Sequence, residues 1–452
     1  MLANRITALL GPQSPLTGLR NMLALRTDPL AFLMSAAADG GIAYRRIGSY
    51  RAYLLNDPED VRELLLNHHK SSIKGPLLQR SKELLGEGLV TGDGEHHLRQ
   101  RRLLQPFFHR QRLLRYMPTM VSCTERCLAR FADGQTLDLH REMMRLALSI
   151  VGQALFGDDF ERDLGEIYQA LDHIGAALNM RQEVLTLVLE RLGLPAPAHA
   201  RLRQARHILG SVIARLRSER AASAETRSDL VSHLLTAKDT DGDGGTMAWE
   251  SLLDECITLL LAGHETTANA LSFALYLISQ HPRVEARLQA EVAQVLGDRP
   301  PTADDLPRLV YTEQVFAEAI RLYPPAWMMG RFLTAPITLR GREFAPGELL
   351  MISPYTMGRD PRFYPQPLDF RPERFTPEER QSRPRFAYFP FGAGPRQCIG
   401  EGFAWMEGTL VLAMVVQRFA LRLVPGATAE VEALLTLRPK HGMPMRIHRR
   451  AP

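Results

Sequence analysis

Phe391-Gly392-Ala393-Gly394-Pro395-Arg396-Gln397-Cys398-Ile399-Gly400 is the stretch that decides how this chain is read. It sets one cysteine between a glycine-rich loop and the start of a helix, because Phe403, Met406, Leu410 and Met414 recur behind it at helical spacing. Helix-start N–H groups and the positive end of the helix dipole favour a thiolate over a thiol, and such a thiolate is a good ligand for haem iron. Small residues on either side let a flat macrocycle lie against the backbone, and Arg396 can neutralise a carboxylate of that ring. A cysteine alone at a glycine-rich cap is ordinary buried packing. The nine residues around it lift Cys398 above that reading. Cys123 and Cys127 share a helical face with no histidine or further cysteine at zinc spacing, and Cys256 sits in an apolar run, so all three are expected to be core.

The ten residues resemble the haem-binding signature of the cytochrome P450 family, Phe-x-x-Gly-x-Arg-x-Cys-x-Gly, at every fixed position. The resemblance implies that Cys398 is the metal ligand and that Phe391, Arg396 and Gly400 contact haem b. Three more segments stand in the family's order. Glu318-Ala319-Ile320-Arg321 is similar to its Glu-x-x-Arg, with both side chains one helical turn apart, and Pro372-Glu373-Arg374-Phe375 to the segment whose arginine joins that pair. Each is unremarkable alone, since an exposed ion pair contributes little. Together they are expected to form a buried structural network of Glu318, Arg321 and Arg374 that braces the Cys398 loop.

The third segment, Ala262-Gly263-His264-Glu265-Thr266-Thr267, interrupts the most apolar helix of the chain, expected from about Met247 to Gln280. Polar groups in a buried helix need partners, so either a solvated notch or a functional site compensates them. The segment resembles the family's distal-helix motif. That resemblance makes Glu265 and Thr266 the catalytic acid and alcohol, with Gly263 giving bound dioxygen room. Gly94-Glu95-His96-His97-Leu98-Arg99-Gln100-Arg101-Arg102 resembles the helix that crosses the haem's proximal side; His97 and Arg101 can share a face and bind a propionate, joined by Arg331 and Arg396. Arg99, Arg102, Arg110 and Arg112 read as solvated charge or as a docking patch for an acidic electron carrier. Ala262, Met328 and Met329, with Leu84 to Val90, are the candidate substrate contacts, although two methionines suit core gap-filling equally. Asp239, Asp241, Asp243, Gly244 and Glu250 satisfy a simple calcium-loop pattern, but Thr246 stands where such loops are usually aliphatic, and a polar turn before the long helix is preferred.

Composition limits the classes that remain. The 452 residues hold 55 Lys+Arg against 50 Asp+Glu, an excess too small to argue for nucleic acid. Four cysteines cannot staple so long a chain, which points to a reducing compartment. Between Ala3 and Ala38 the apolar residues are broken by Arg5, Arg20, Arg26 and Asp28, short of the roughly 18 apolar residues that a spanning helix needs. A hairpin is expected at Ile42–Ile47 and Tyr50–Leu55, then a helix capped by Asp57 and opened by Pro58. Helical spacing runs on to Arg299, with breaks at Gly157–Asp159, Pro195–Pro197 and Asp239–Gly245. Of 30 prolines, 13 fall between Pro324 and Pro395, which forbids long helices there and leaves short strands at 337–340, 342–344 and 349–353.

The resemblance covers nearly the whole chain. It implies a mainly α fold with small β-sheets, one domain over 1–452: a peripheral segment 1–40, a helical body over about 57–323, strands and the ligand loop over about 324–398, and a last helix and strands over 399–452. The reaction implied is monooxygenation: one atom of O2 enters an apolar fatty acid, terpenoid, steroid or polyketide, and the other leaves as water. No flavin- or nicotinamide-binding fingerprint is evident, since Gln397 replaces its third glycine, so a separate ferredoxin or flavodoxin with its reductase is expected to supply electrons. A cytoplasmic monomer without nucleic-acid partners completes the expectation. A haem-thiolate isomerase or dehydratase, or a haem sensor, is the alternative; the Glu265–Thr266 pair argues for oxygen activation.

Overall fold

The computed structural model describes residues 14–75, 78, 81–177, 196–222, 229–239 and 244–450. Ala3, Arg5, Pro195, Asp241 and Asp243 of the sequence reading therefore lie outside the described residues. Helices α1 (Pro15–Thr27) and α2 (Pro29–Ala37) begin where the sequence says they must. Ser14 and Asp28 each accept an N–H three residues on, and a proline occupies the first helical position. Phe32, Leu33 and Ala36 of α2 pack with Leu54 and Met351, so this segment belongs to a core and is less peripheral than expected. Strands β1 (Ile42–Ile47) and β2 (Tyr50–Leu55) form the expected hairpin, with Ile47 opposite Tyr50. They join β3 (Ser72–Lys74), β5 (Met329–Leu333) and β8 (Leu349–Ile352) in a five-stranded sheet ordered β1-β2-β8-β5-β3. The proline-rich spacing marks β6 (Ile337–Leu339), β7 (Arg342–Phe344) and β8 but misses β3 and β5, which are short and carry Lys74 and Arg331 directly opposite each other.

The helical body contains α3 (Gly94–Leu104), α4 (Arg110–Leu128), α5 (Leu139–Phe156), α6 (Leu164–Ala177), α7 (Pro197–Ala222), α8 (Trp249–Gln280), α9 (Pro282–Leu296), α10 (Val310–Leu322) and α11 (Glu401–Arg418). Helix α8 starts at Trp249, two residues later than expected, because Ala248 is already extended. Its Ile257, Leu260, Leu271, Phe273 and Leu275 are buried in the main core with Ile150 and Val151 of α5 and Leu410 to Val415 of α11. Each such side chain contributes about 1.5–3 kcal/mol on burial, which fixes α8 as the axis against which the other elements are placed. A three-stranded sheet of β4 (Thr136–Asp138), β12 (Pro444–Arg449) and β9 (Phe419–Leu423) closes one side, and the hairpin of β10 (Val431–Ala433) and β11 (Leu437–Pro439) reaches back to α8. Among the described residues, no helix is long and apolar enough to cross a membrane.

Candidate active site

The Cys398 loop is built from tight turns. Gly392 and Gly394 take positive φ of 69° and 67°, and a Cβ on Gly394 would stand 2.6 Å from the Leu65 carbonyl oxygen, so only glycine lets the loop approach that backbone. The Cys398 N–H donates to the Phe391 carbonyl (2.9 Å), and the Gly400 N–H points at the sulfur. Phe391 rests on Trp405 of α11 with ring centroids 5.5 Å apart. Cys123, Cys127 and Cys256 are buried, whereas Cys398 is exposed. That exposure faces the wall of a cleft deep inside the fold, which is why burial still dominates its chemistry and pushes the thiol up to about 11 against the pull of the Gly400 N–H. The helix-start N–H favours the thiolate as expected, but burial opposes it more strongly. A coordinated metal must supply the deprotonation. Burial likewise pushes Cys123 and Cys127 up to about 11, which makes them inert packing as expected.

Five basic groups crowd one edge of the cleft. Lys74 and Arg331 are cross-strand partners on β3 and β5, His97 and Arg101 stand one turn apart on α3, and Arg396 precedes Cys398. Among the described residues, the carboxylate ion-paired with this group is Asp93, 2.6 Å from Arg396 Nη2. Burial, then the neighbouring cations, hold Lys74 down at about 7 and His97 at about 3. Arg331 is lowered to about 10 for the same reasons, and its hydrogen bond is one Nη1 donation to the Gly330 carbonyl (3.0 Å). Arg101 Nη1 donates to the Gln397 carbonyl at 2.6 Å, which locks α3 to the ligand loop. Lys74 donates to the Leu89 and Val90 carbonyls and Arg396 to the Gly92 carbonyl, but these neutral acceptors and one carboxylate leave the positive charge of Lys74, Arg101, Arg331 and Arg396 unbalanced unless anions complete the site. The two propionates of haem b are such anions, so the donor set fits the cofactor: Cys398 for iron, and His97, Lys74, Arg331 and Arg396 for the carboxylate edge. Lys74 escapes the sequence reading because a lone lysine on a three-residue strand carries no pattern.

The opposite wall is α8. In a helix that is otherwise buried for most of its length, Ala262 is exposed and Gly263, Glu265 and Thr266 are half-buried. The Thr266 hydroxyl donates to the Ala262 carbonyl (2.7 Å), and Glu265 Oε1 accepts from the Thr436 hydroxyl (2.6 Å). Gly263 has a packing task besides the one expected. A Cβ there would meet Val151 Cγ2 at 2.8 Å, so the glycine lets α5 pack against α8, and the small residue facing the cleft is Ala262. The 86–93 segment bridges the two walls. At one end the Glu87 and Leu89 N–H groups donate to Asp254 and Glu255 of α8 (2.8 and 3.1 Å), and at the other Gly92 and Asp93 are held by Arg396. Leu89 of this segment, and Leu84 and Leu85 just before it, are buried in the main core. Met329 on β5 lies beside Gly392 of the ligand loop, while Met328 packs into the small core under α2.

The expected network is present and closed. Arg321 Nε and Nη2 donate to both oxygens of Glu318 (2.6 and 2.7 Å), Arg374 Nε adds a third bond (3.2 Å), and the Arg371 N–H a fourth (2.9 Å). All three charged side chains are buried. The docking patch changes in part. Arg102 grips Asp239 at 2.7 and 2.9 Å, Arg99 donates to the Thr246 carbonyl at 3.1 Å, and Arg112 lies over Phe107, which leaves Arg110 exposed. Asp239 is thus engaged in tying α3 to the turn before α8.

A family profile described as Cytochrome P450 matches residues 10–443. Cyclooctatin synthase of Streptomyces melanosporofaciens is 39% identical, over 91% of this chain and 89% of that protein. Cyclooctat-9-en-7-ol 5-monooxygenase of the same organism is 35% identical over 92% and 89%, and pentalenene oxygenase of Streptomyces avermitilis is 35% identical over 94% of both. Among solved structures, the cytochrome P450DA heme domain superposes with a TM-score of 0.84 at 27% identity, covering 98% of this chain and 97% of that one.

Proposed function

This chain belongs to the cytochrome P450 family, a haem-thiolate monooxygenase whose O2 and electrons reach haem b beside an apolar substrate, and we propose that this substrate is a terpenoid. The support is that three relatives at 35–39% identity carry names of terpenoid-modifying oxygenases or of an enzyme of the cyclooctatin series. The cleft suits such a molecule, since Ala262 of α8 and Met329 of β5 offer it no charge. Haem b supplies the activation of dioxygen when bound. The chain's own residues do the rest. Cys398 would hold the iron, and Lys74, His97, Arg331 and Arg396 would hold the propionates. Glu265 and Thr266 hold and pass the protons that the reaction consumes on the α8 side of the cleft. The observation that carries this assignment is a carboxyl and a hydroxyl on consecutive residues, half-buried, in a helix whose flanks are apolar and closed. Electrons come from a ferredoxin or flavodoxin with its reductase, and Arg110 with Arg101 on the ligand-loop side suits an acidic carrier.

Two measurements test this reading. Titrating the ferric protein with terpenes, fatty acids, steroids and macrolides should give a spectral shift at the lowest concentration for a terpene, and tighter binding of another class would overturn the substrate assignment. Thr266→Ala should divert dioxygen to peroxide and lower product per O2 about tenfold or more, the scale of a lost proton-transfer group. Unchanged coupling would remove Thr266 from the proton path.

A further inference from the structure

Glu265 is the end of a line of four side chains drawn from three distant parts of the chain. His140, at the start of α5, places Nε2 at 2.8 Å from Asn269 Oδ1. Asn269, fully buried on α8 one turn beyond Glu265, donates through Nδ2 to the Thr436 hydroxyl at 3.1 Å. Thr436, buried in the turn between β10 and β11, donates to Glu265 Oε1 at 2.6 Å. With Asn269 so oriented, His140 must carry its proton on Nε2. Every bond then points the same way, and the carboxylate is the final acceptor. The turn that presents Thr436 is itself tied down: Trp327 Nε1 donates to the Leu434 carbonyl (3.0 Å), and the Leu437 N–H donates to the Pro325 carbonyl (3.0 Å).

An amide sits in the middle of this line, and an amide neither releases nor takes up a proton at ordinary pH. The line therefore cannot conduct protons from His140 to the cleft. What it can do is orient. Oε1 is held by a short bond from a fixed hydroxyl, which leaves Oε2, with no hydrogen bond among the described residues, as the oxygen free to exchange a proton with water and with the Thr266 side of the cleft.

We propose that Thr436 and Asn269, set by His140, are positioning residues that hold the Glu265 carboxylate in its proton-supplying rotamer. The proposal rests on the proton role given to Glu265 above and deepens it. It assigns a function to the β10–β11 turn, 171 residues away in sequence.

The test uses the haem-loaded enzyme with Thr436→Val, which keeps the shape and removes the donor, Thr436→Ser, which restores it, and Glu265→Gln. Two readouts are taken: the infrared stretch of carbon monoxide on the reduced haem, which senses the distal field without turnover, and product formed per O2 with kcat and KM resolved. Thr436→Val should shift or split the carbon monoxide band and lower coupling about tenfold at unchanged KM, the size of one lost hydrogen bond to a charged group. Thr436→Ser should recover both, and Thr436→Val should add nothing in the Glu265→Gln background. A merely structural Thr436 would lower thermal stability while leaving band and coupling at wild-type values, and that result overturns the proposal. A silent Thr436→Val beside a damaged Glu265→Gln sinks this inference alone. A silent Glu265→Gln sinks the proton role of Glu265 and this inference with it.

Discussion

Two buried clusters of charge in this molecule look alike in composition and differ in closure. Around Glu318, one carboxylate and two guanidinium groups are matched by hydrogen bonds, with Arg321 also donating to the Gly358, Pro367 and Asp369 carbonyls. Around the cleft, Lys74, Arg101 and Arg396 give hydrogen bonds to backbone carbonyls, His97 is held neutral by burial, and Asp93 is the carboxylate paired with Arg396. The first cluster is complete without a ligand and so holds the fold together. The second is electrostatically complete only when an anionic cofactor arrives, which makes it a binding site whose strain in the free protein becomes affinity in the loaded one.

Changes on either side should separate these two roles. The largest effect is expected from Arg321→Met, which leaves Glu318 buried with half its partners and costs about 3–5 kcal/mol. Soluble yield and haem content per chain should fall together, and normal haem retention in this variant would show that the network is not structural. His264 is a buried group that is half satisfied and not a ligand site, since its ring bonds the Met144 backbone, its Nε2 has no partner among the described residues, and burial holds it down at about 4. The unfolded state, titrating near 6.5, binds the proton first, so stability is full above pH 6.5 and is lost as pH falls toward 4, by about 3 kcal/mol at most. Denaturation of wild type and His264→Leu between pH 7 and pH 4.5 should show a shallower acid limb in the variant. Smaller again is Arg331→Met. It should raise or preserve the melting temperature of the haem-free protein while speeding haem transfer to a scavenger about tenfold, the worth of one charge-assisted hydrogen bond. If the melting temperature of the haem-free protein fell as haem transfer quickened, Arg331 would belong with the structural cluster.

How far the sequence spoke depended on distance along the chain. The Cys398 loop, the Glu318–Arg321 turn and the Ile42–Leu55 hairpin are local patterns, in which side chains a few residues apart meet by helix or turn geometry, and the structure has them where spacing places them. Lys74 opposite Arg331 and Thr436 on Glu265 are contacts between segments hundreds of residues apart, created by sheet register and by a hairpin turn, and nothing near either residue announces them. The packing task of Gly263 is hidden for a related reason. The motif fixes that a glycine is required, while the direction its missing Cβ would point depends on where α5 packs. Arg99 and Arg102 are legible as charge, but their engagement at the turn before α8 depends on tertiary placement.

The paired carboxylates Asp254 and Glu255 tie the Glu87–Leu89 stretch to the same helix that carries Glu265 and Thr266 about three turns later. A guest bulky enough to raise that stretch must pull on two adjacent anchors in α8. The stretch beside the ligand loop and the pair given the proton role thus hang from one rod, and neither can be displaced without a cost in hydrogen bonds to the same helix.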